Sequence, residues 1–360
     1  MIDAILKQFG FSENTFSVKP FGSGLINNTW LIEREGKKYI AQRINQQVFK
    51  TPADIDENIR LIAAYLKQYY PAYIFTVPLS SLDNETLVQN ESGAYRIFEF
   101  IDGSITYNTL QKPKQAYEAA KQFGRFTKLL SGFNTERLKI TLPDFHNLSL
   151  RYRQFETAIN EGDKERIAFA SKLIEILKGH AGIVATFEEI QHNGGFKKRV
   201  THHDTKISNV LFDENDNGIC VIDLDTVMPG YFISDVGDMM RTYLAASGEE
   251  ETDLSKIEIR DEYFEAIVEG YLGEMQEELS SVEINSFVYA GKFMIYMQAL
   301  RFLADYLNGD IYYGAKYPLH NFSRAANQVV LLKQLINKEQ LFNEKVQEFV
   351  NSPHLSDFGY

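Results

Sequence analysis

The chain of 360 residues is almost without cysteine: Cys220 stands alone, so no disulfide can close within it. It sits in Ile219-Cys220-Val221-Ile222, an apolar run that suits a buried, structural thiol. No apolar stretch approaches the roughly 20 residues that a membrane-spanning helix needs. The opening MIDAILKQFGF lacks the basic and apolar regions of a secretory leader. A reducing, cytoplasmic setting is therefore expected. Positive charge is also in short supply: 37 Lys and Arg face 49 Asp and Glu, for a formal net charge of −12. That excess repels nucleic-acid backbone and anionic membrane, and both are excluded as expected partners. There is no G-x-x-x-x-G-K-[ST] run, which disfavours a P-loop, and no His/Cys cluster at zinc spacing. Internal repeats and low-complexity segments are absent too.

What remains is rich in apolar and aromatic residues, with 26 Phe and 20 Tyr, enough to build a large core or two smaller ones. Alternating apolar and polar residues predict strands over 16–21, 28–33 and 38–44, with turns at Gly22-Ser23-Gly24 and Glu35-Gly36. A helix follows, opened by Thr51-Pro52 and acidic in its first turns, with Ile55, Ile59, Ile62, Ala63 and Leu66 on its apolar face. Strands over 85–89 and 94–100 complete a five-strand, one-helix unit. Beyond Gly103 the pattern is helical, over 112–130, 148–160, 164–177, 257–272, 282–308 and 322–336, with short strands flanking 201–225. The expected class is α+β: a small β-rich N-terminal lobe, 1–102, and a larger helical C-terminal lobe, 103–360.

The most informative stretch is RVTHHDTKISNVLFDENDNGICVIDLDTVMPGYFISDVGD, residues 199–238. It contains His202-x-Asp204-x-x-x-x-Asn209, then a hairpin turn at Asn215-Asp216-Asn217-Gly218 and an apolar strand that delivers Asp223. Phosphoryl transfer from ATP needs such parts. One carboxylate orients the acceptor hydroxyl and takes its proton, while hard oxygens hold Mg²⁺ against the phosphates. The alternative reading is surface polarity around a hairpin. The second aspartate, placed after an apolar strand, argues against coincidence.

This segment resembles the catalytic core of the aminoglycoside phosphotransferase and choline kinase-like superfamily, which is protein-kinase-like and two-lobed. The H-x-D-x4-N loop and Ile222-Asp223 carry the likeness, and Asp235 matches the structural aspartate that opens the following helix. The resemblance implies that Asp204 is the catalytic base and that Asn209 and Asp223 bind Mg²⁺. Asp225 departs from the common pattern and is open to a metal, substrate or structural role. Gly22 and Gly24 then read as a phosphate-covering loop. Ala41-Gln42-Arg43 reads as the cation-bearing strand, with Arg43 toward the phosphates unless Gln42 is the residue turned inward. Glu57 is the expected partner of that cation, in competition with Asp54 and Asp56. Phe98-Glu99-Phe100-Ile101-Asp102-Gly103 resembles the hinge, where backbone groups of Glu99 and Ile101 would bind the adenine edge.

VIDLDTVMPG, HHDTKISNVLFD, YIAQRIN and ALRFLADYLNGDIYY closely resemble N-acetylhexosamine 1-kinases, over nearly the whole chain. That implies ATP and Mg²⁺ as cofactors and the anomeric hydroxyl of N-acetylglucosamine or N-acetylgalactosamine as acceptor. Arg301 and Tyr312 are the sugar-contact candidates, against an Arg301–Asp305 ion pair at (i, i+4) and a packed tyrosine. His203 faces either substrate or structure. Other acceptors of the superfamily are choline, homoserine and aminoglycosides, and a non-catalytic kinase-like binding protein is the alternative outside enzymes. The oligomeric state is not legible.

Overall fold

The computed structural model describes residues 2–12, 16–22 and 26–352. In chain order the elements are α1 (Ile2–Gln8), β1 (Ser17–Pro20), β2 (Asn28–Arg34), β3 (Lys37–Ile44), α2 (Pro52–Tyr69), β4 (Val88–Asn90) and β5 (Gly93–Glu99). Helices α3 (Pro113–Leu129), α4 (Leu148–Glu161), α5 (Lys164–Phe169), α6 (Ser171–Gly179) and α7 (Gly182–His192) follow. Then come β6 (Arg199–Thr201), β7 (Val210–Phe212), β8 (Gly218–Val221) and β9 (Met228–Gly230). The chain ends in α8 (Phe232–Tyr243), α9 (Asp261–Met275), α10 (Ser281–Asn285), α11 (Phe287–Leu307), α12 (His320–Asn337) and α13 (Glu339–Asn351).

These elements form two units. The sheet unit comprises Met1–Ile105, Gly132–Pro143 and Leu211–Pro229; the helical unit comprises Thr106–Ser131, Asp144–Val210 and Gly230–Tyr360. Both are assembled from three separate stretches of chain, so segments far beyond residue 102 belong with the N-terminal strands.

The sheet has the order β1-β2-β3-β5-β4, antiparallel throughout. Its register places Trp30, Ala41 and Ile97 in one row and Thr29, Gln42 and Arg96 in the next. Neighbouring rows point to opposite faces. Ile32, Ala41 and Ile97 lie on the face buried under Leu6 and Phe11, where α1 and the turn after it close the core. Gln42 and Arg96 lie on the other face. In α2, Ile55, Ile59, Ile62 and Leu66 are buried as their spacing predicts, whereas Ala63 is half-buried. Asn58 is buried among them at 1 % exposure. Its amide accepts from Lys139 N–H at 2.8 Å and donates to the Lys139 and Val227 carbonyls at 2.9 and 3.1 Å. Thr51 makes no side-chain cap, so Pro52 alone marks the start of this helix. Cys220, on β8, is fully buried, which pushes its thiol up to about 12.

The helical unit is built around α11, in which every residue except Lys292 and Arg301 is buried. A helix apolar on all sides belongs at the centre of a core, and α4, α7, α8 and α12 surround this one. Contact between α8 and α11 is close because both carry glycine there. A Cβ at Gly237 would lie 2.3 Å from the Ala290 carbonyl, and one at Gly291 2.6 Å from Met240 Sδ.

Several boundaries differ from the sequence pattern. The helix expected over 164–177 is two, joined at Ala170, and that over 282–308 breaks at Ser286. The one expected from 257 begins at Asp261, because Ile259 is held in a bridge to Ala245. The strand expected over 85–89 is Val88–Asn90. Helices α1, α7 and α13 were not in the pattern. Among the described residues no helix is long and apolar enough to cross a membrane.

Candidate active site

In the helical unit, β6 delivers His202-His203-Asp204 into a loop that α8 holds by its backbone. The carboxylate of Asp235, in the first turn of α8, accepts from His202 N–H at 2.9 Å and His203 N–H at 2.7 Å. Burial pushes this carboxyl up to about 7 against those two amides. Asp238 accepts from Thr205 N–H at 2.9 Å, and Tyr243 Oη donates to the Thr205 carbonyl at 2.6 Å. This scaffold lets His203 adopt a left-handed backbone, φ 66°. Its ring is 4 % exposed and packs on Thr201 and Gly230, where a Cβ would lie 2.4 Å from His203 Nε2.

Asp204 follows, with one carboxylate oxygen 2.8 Å from Lys206 Nζ. Asn209 ends a short 3₁₀ turn over Ile207–Asn209 and donates through Nδ2 to the Asp204 carbonyl at 2.8 Å. That bond fixes the amide and leaves Oδ1 as an acceptor. Burial works to raise the Asp204 carboxyl, but the Lys206 ammonium beside it, helped by His202 and Asn209, holds it below the usual carboxylate range. Lys206 is not singled out by the H-x-D-x4-N spacing; its signal is its place two residues after the aspartate.

A cationic, aromatic cluster occupies the same unit. The rings of His146 and His203 are 5.4 Å apart, and Phe145 stacks on His146 at 4.4 Å. Burial, then His203, Arg301, Arg241 and Arg151, keep His146 well below the usual histidine range, so it is neutral at pH 7. Arg301 does not pair with Asp305, whose carboxylate accepts instead from Tyr312 N–H, Tyr313 N–H and Asn321 Nδ2 at 2.7, 3.0 and 3.1 Å. Its Nη1 donates to Gln298 Oε1 at 3.2 Å, and its guanidinium lies 5.8 and 5.5 Å from the Tyr312 and Tyr313 ring centroids. Tyr312 is 74 % exposed.

In the sheet unit, the β7–β8 hairpin turns on Asp213, whose Oδ1 accepts from Asn215 and Asn217 N–H at 2.9 and 2.8 Å. Strand β8 ends one residue before Ile222, and Asp223 follows with φ 61° and ψ 59°, opening a 3₁₀ turn over Leu224–Thr226. Asp225 is 1 % exposed and already engaged: Arg96 Nη2 lies 2.5 Å from its Oδ1, and Asn27 Nδ2 donates to its Oδ2 at 2.7 Å. Of the three readings open for Asp225, the structural one matches these contacts.

Arg43 is a correction. Strand alternation does put it on the face of Ala41, but that face is the one beneath α1, and Arg43 is exposed there beside Gly93. Gln42 is the β3 residue that meets Arg96. Glu57 accordingly pairs with no β3 cation; its carboxylate stands 3.9 Å from Lys139 Nζ, both half-exposed. Gly22 has φ +78° with open space around it, and Gly24 lies outside the described residues. At the end of β5, Phe100 N–H donates to the Lys38 carbonyl at 3.1 Å. Alternation of the ladder therefore turns the backbone groups of Glu99 away from β3. The Ile101 carbonyl accepts from Ser104 N–H at 3.2 Å in a turn that Gly103 closes with a positive φ.

Among the described residues no three His, Cys, Asp or Glu side chains group as a self-sufficient metal site. Asn209 Oδ1 in the helical unit and the Asp223 carboxylate in the sheet unit are each hard oxygens of the type that Mg²⁺ takes.

If Asp204 is the proton acceptor it must be ionised, so activity is expected to fall as pH drops through its depressed pKa and to be flat above it. Replacing Lys206 by Met removes the largest lowering influence. The acid limb of kcat/KM is expected to move up by about one pH unit. A pH–rate profile with the limb unmoved rejects that role for Lys206.

The chain is similar in structure to an aminoglycoside phosphotransferase from Alicyclobacillus acidocaldarius, with 15 % identity, TM-score 0.63, and coverage of 97 % of this chain and 96 % of that one. It is similar to a spectinomycin phosphotransferase solved with ADP and spectinomycin, with 16 % identity, TM-score 0.60 and coverage of 94 % and 97 %. It is also similar to a choline kinase from Cryptosporidium parvum, with 17 % identity, TM-score 0.58 and coverage of 96 % and 98 %. At these identities the likeness establishes the fold, which is kinase-like: a small antiparallel sheet unit and a larger helical one. The sequence itself matches a family model over residues 17–279, a span that includes β1 through α9 and both the Asp204 loop and the Asp223 turn. The chain belongs to the phosphotransferase enzyme family.

Proposed function

We propose that the protein transfers the γ-phosphate of ATP to the anomeric hydroxyl of an N-acetylhexosamine. The Asp204 loop carries the reaction type. Asp204, kept ionised by Lys206, accepts the hydroxyl proton as the oxygen attacks phosphorus. An anomeric hydroxyl is more acidic than an ordinary alcohol, so a base of low pKa suffices. Lys206, alongside, places positive charge where phosphoryl oxygens gain negative charge. Asn209 Oδ1 and Asp223 would hold Mg²⁺, which when bound neutralises charge on the phosphates. The Glu99 and Ile101 backbone groups offer an acceptor and a donor to adenine, and Gly22 offers an uncrowded backbone to phosphate.

The single observation that favours a sugar over other acceptors is the sign of charge around His203 and His146. Arg151, Arg241 and Arg301 all act on His146. Asp238 and Glu249 offset Arg241, whereas Arg151 donates to Gln154 Oε1 and the Asp144 carbonyl and Arg301 to Gln298 Oε1, so among the described residues these two cations are not offset by an ion pair. Such surroundings repel the cationic heads of choline, ethanolamine and aminoglycosides. They suit neutral hydroxyl and acetamide oxygens, with Arg301 donating and Tyr312 offering a ring face. The test is an ADP-release assay with N-acetylglucosamine, N-acetylgalactosamine, choline, ethanolamine and spectinomycin, followed by phosphorus NMR of the product. The expected product is a 1-phosphate, seen as a doublet. Turnover confined to the cationic acceptors, or a 6-phosphate, defeats the proposal.

A further inference from the structure

Asp223 holds a left-handed backbone, which costs an aspartate about 1 kcal/mol or more unless its surroundings impose it. Three elements of the sheet unit impose it by gripping the turn just beyond. From β5, Arg96 Nη2 meets Asp225 Oδ1 at 2.5 Å. From the segment before β2, Asn27 Nδ2 donates to Asp225 Oδ2 at 2.7 Å. From α2, Asn58 Nδ2 donates to the Val227 carbonyl at 3.1 Å. Each grip is itself aimed. Gln42 Oε1 accepts from Arg96 Nε and Nη2 at 3.0 and 2.8 Å, and Asn27 Oδ1 accepts from Asn45 N–H at 3.0 Å. Asn58 is pinned at both ends of its amide to Lys139. Asp225 and Arg96 are 1 % and 2 % exposed, so the pair is shielded from competing water.

We infer that Arg96 and Asn27 are positioning residues for the metal-binding carboxylate of Asp223, acting through Asp225, which anchors the turn and is not itself a metal ligand. The inference rests on the reading of Asp223 as a Mg²⁺ ligand. Arg96, on β5, stands opposite Gln42 of β3. Gln42 serves as the hydrogen-bond acceptor that orients it. Losing a group that orients a metal ligand typically weakens metal binding by about 10- to 100-fold.

The experiment measures Mn²⁺ binding to the full chain in the presence of ADP, by electron paramagnetic resonance of the free ion, with circular dichroism to check folding. The variants are Asp223→Ala, Asn27→Ala, Arg96→Lys and Asp225→Asn. Asp223→Ala is expected to abolish tight binding. Asn27→Ala and Arg96→Lys are expected to weaken it by about tenfold, with KM for the acceptor unchanged. Asn27→Ala keeps the buried ion pair, so it stays informative even if the Arg96 variant fails to fold. Near-normal Mn²⁺ affinity in Asn27→Ala and Arg96→Lys beside a large loss in Asp225→Asn would make Asp225 a ligand and overturn the inference. Normal affinity in Asp223→Ala would instead remove the metal reading on which it stands.

Discussion

Asp204→Asn is expected to lower kcat by about a thousandfold while leaving the affinity for ADP within about twofold, the loss being that of a general base. The substitution keeps size and hydrogen-bonding length but removes the carboxylate proposed to receive the acceptor proton. It also strips Lys206 of its counter-charge at 2.8 Å. Nucleotide affinity is expected to survive because the groups proposed to bind adenine and phosphate, from Gly22 to Ile101, belong to the sheet unit, and Asp204 is carried by the helical one. Single-turnover rates and calorimetric titration with ADP separate the two effects. A loss in kcat below tenfold would take Asp204 out of the proton-accepting role.

Glu283→Ala is expected to destabilise the chain by about 3–5 kcal/mol, the usual consequence of leaving a buried charge without its partner. The partner is Arg199, the first residue of β6, whose Nη1 and Nη2 reach the two carboxylate oxygens at 2.6 and 3.0 Å. Their side chains are 6 % and 0 % exposed. Glu283 also accepts from Lys197 N–H at 3.0 Å and from Ser280 N–H at 2.9 Å, so one carboxylate fastens both the entry to β6 and the cap of α10. A fall in melting temperature on the order of 10 °C is expected for a unit of this size. The double variant Arg199→Met/Glu283→Leu should recover most of it, since well-packed apolar side chains can replace a buried pair. A single-variant loss under about 1 kcal/mol would show that solvent reaches Arg199 and that the pair behaves as a surface one.

The parts of the molecule legible in the sequence are those fixed by local pattern. Alternation located β2 and β3 to within a residue, and the 3.6-residue period located α2, α3 and α4. Breaks in helices were invisible at Ala170 and Ser286 because the apolar period runs straight through both, and neither Ala170 nor Ser286 caps the helix that follows with its side chain. In the site, the aspartates and Asn209 announce themselves by spacing. Their supports do not. Asn27 contacts a residue 198 positions away and Asn58 one 169 away, and no local rule assigns such partners. Arg43 shows the limit from the other side. Alternation correctly tied it to Ala41, but which face of a sheet a distant helix will cover is a tertiary fact. Here α1 took that face.

The sealed thiol of Cys220 has a use of its own. With its sulfur fully covered and its proton held up to about 12, it presents almost no thiolate to the medium at neutral pH. Electrophiles and oxidants thus meet it only when the strand that runs into Asp223 comes loose. Being the chain's sole cysteine, it makes each alkylation event a count of such openings, a reporter of breathing in the β7–β8 hairpin that needs no engineered label.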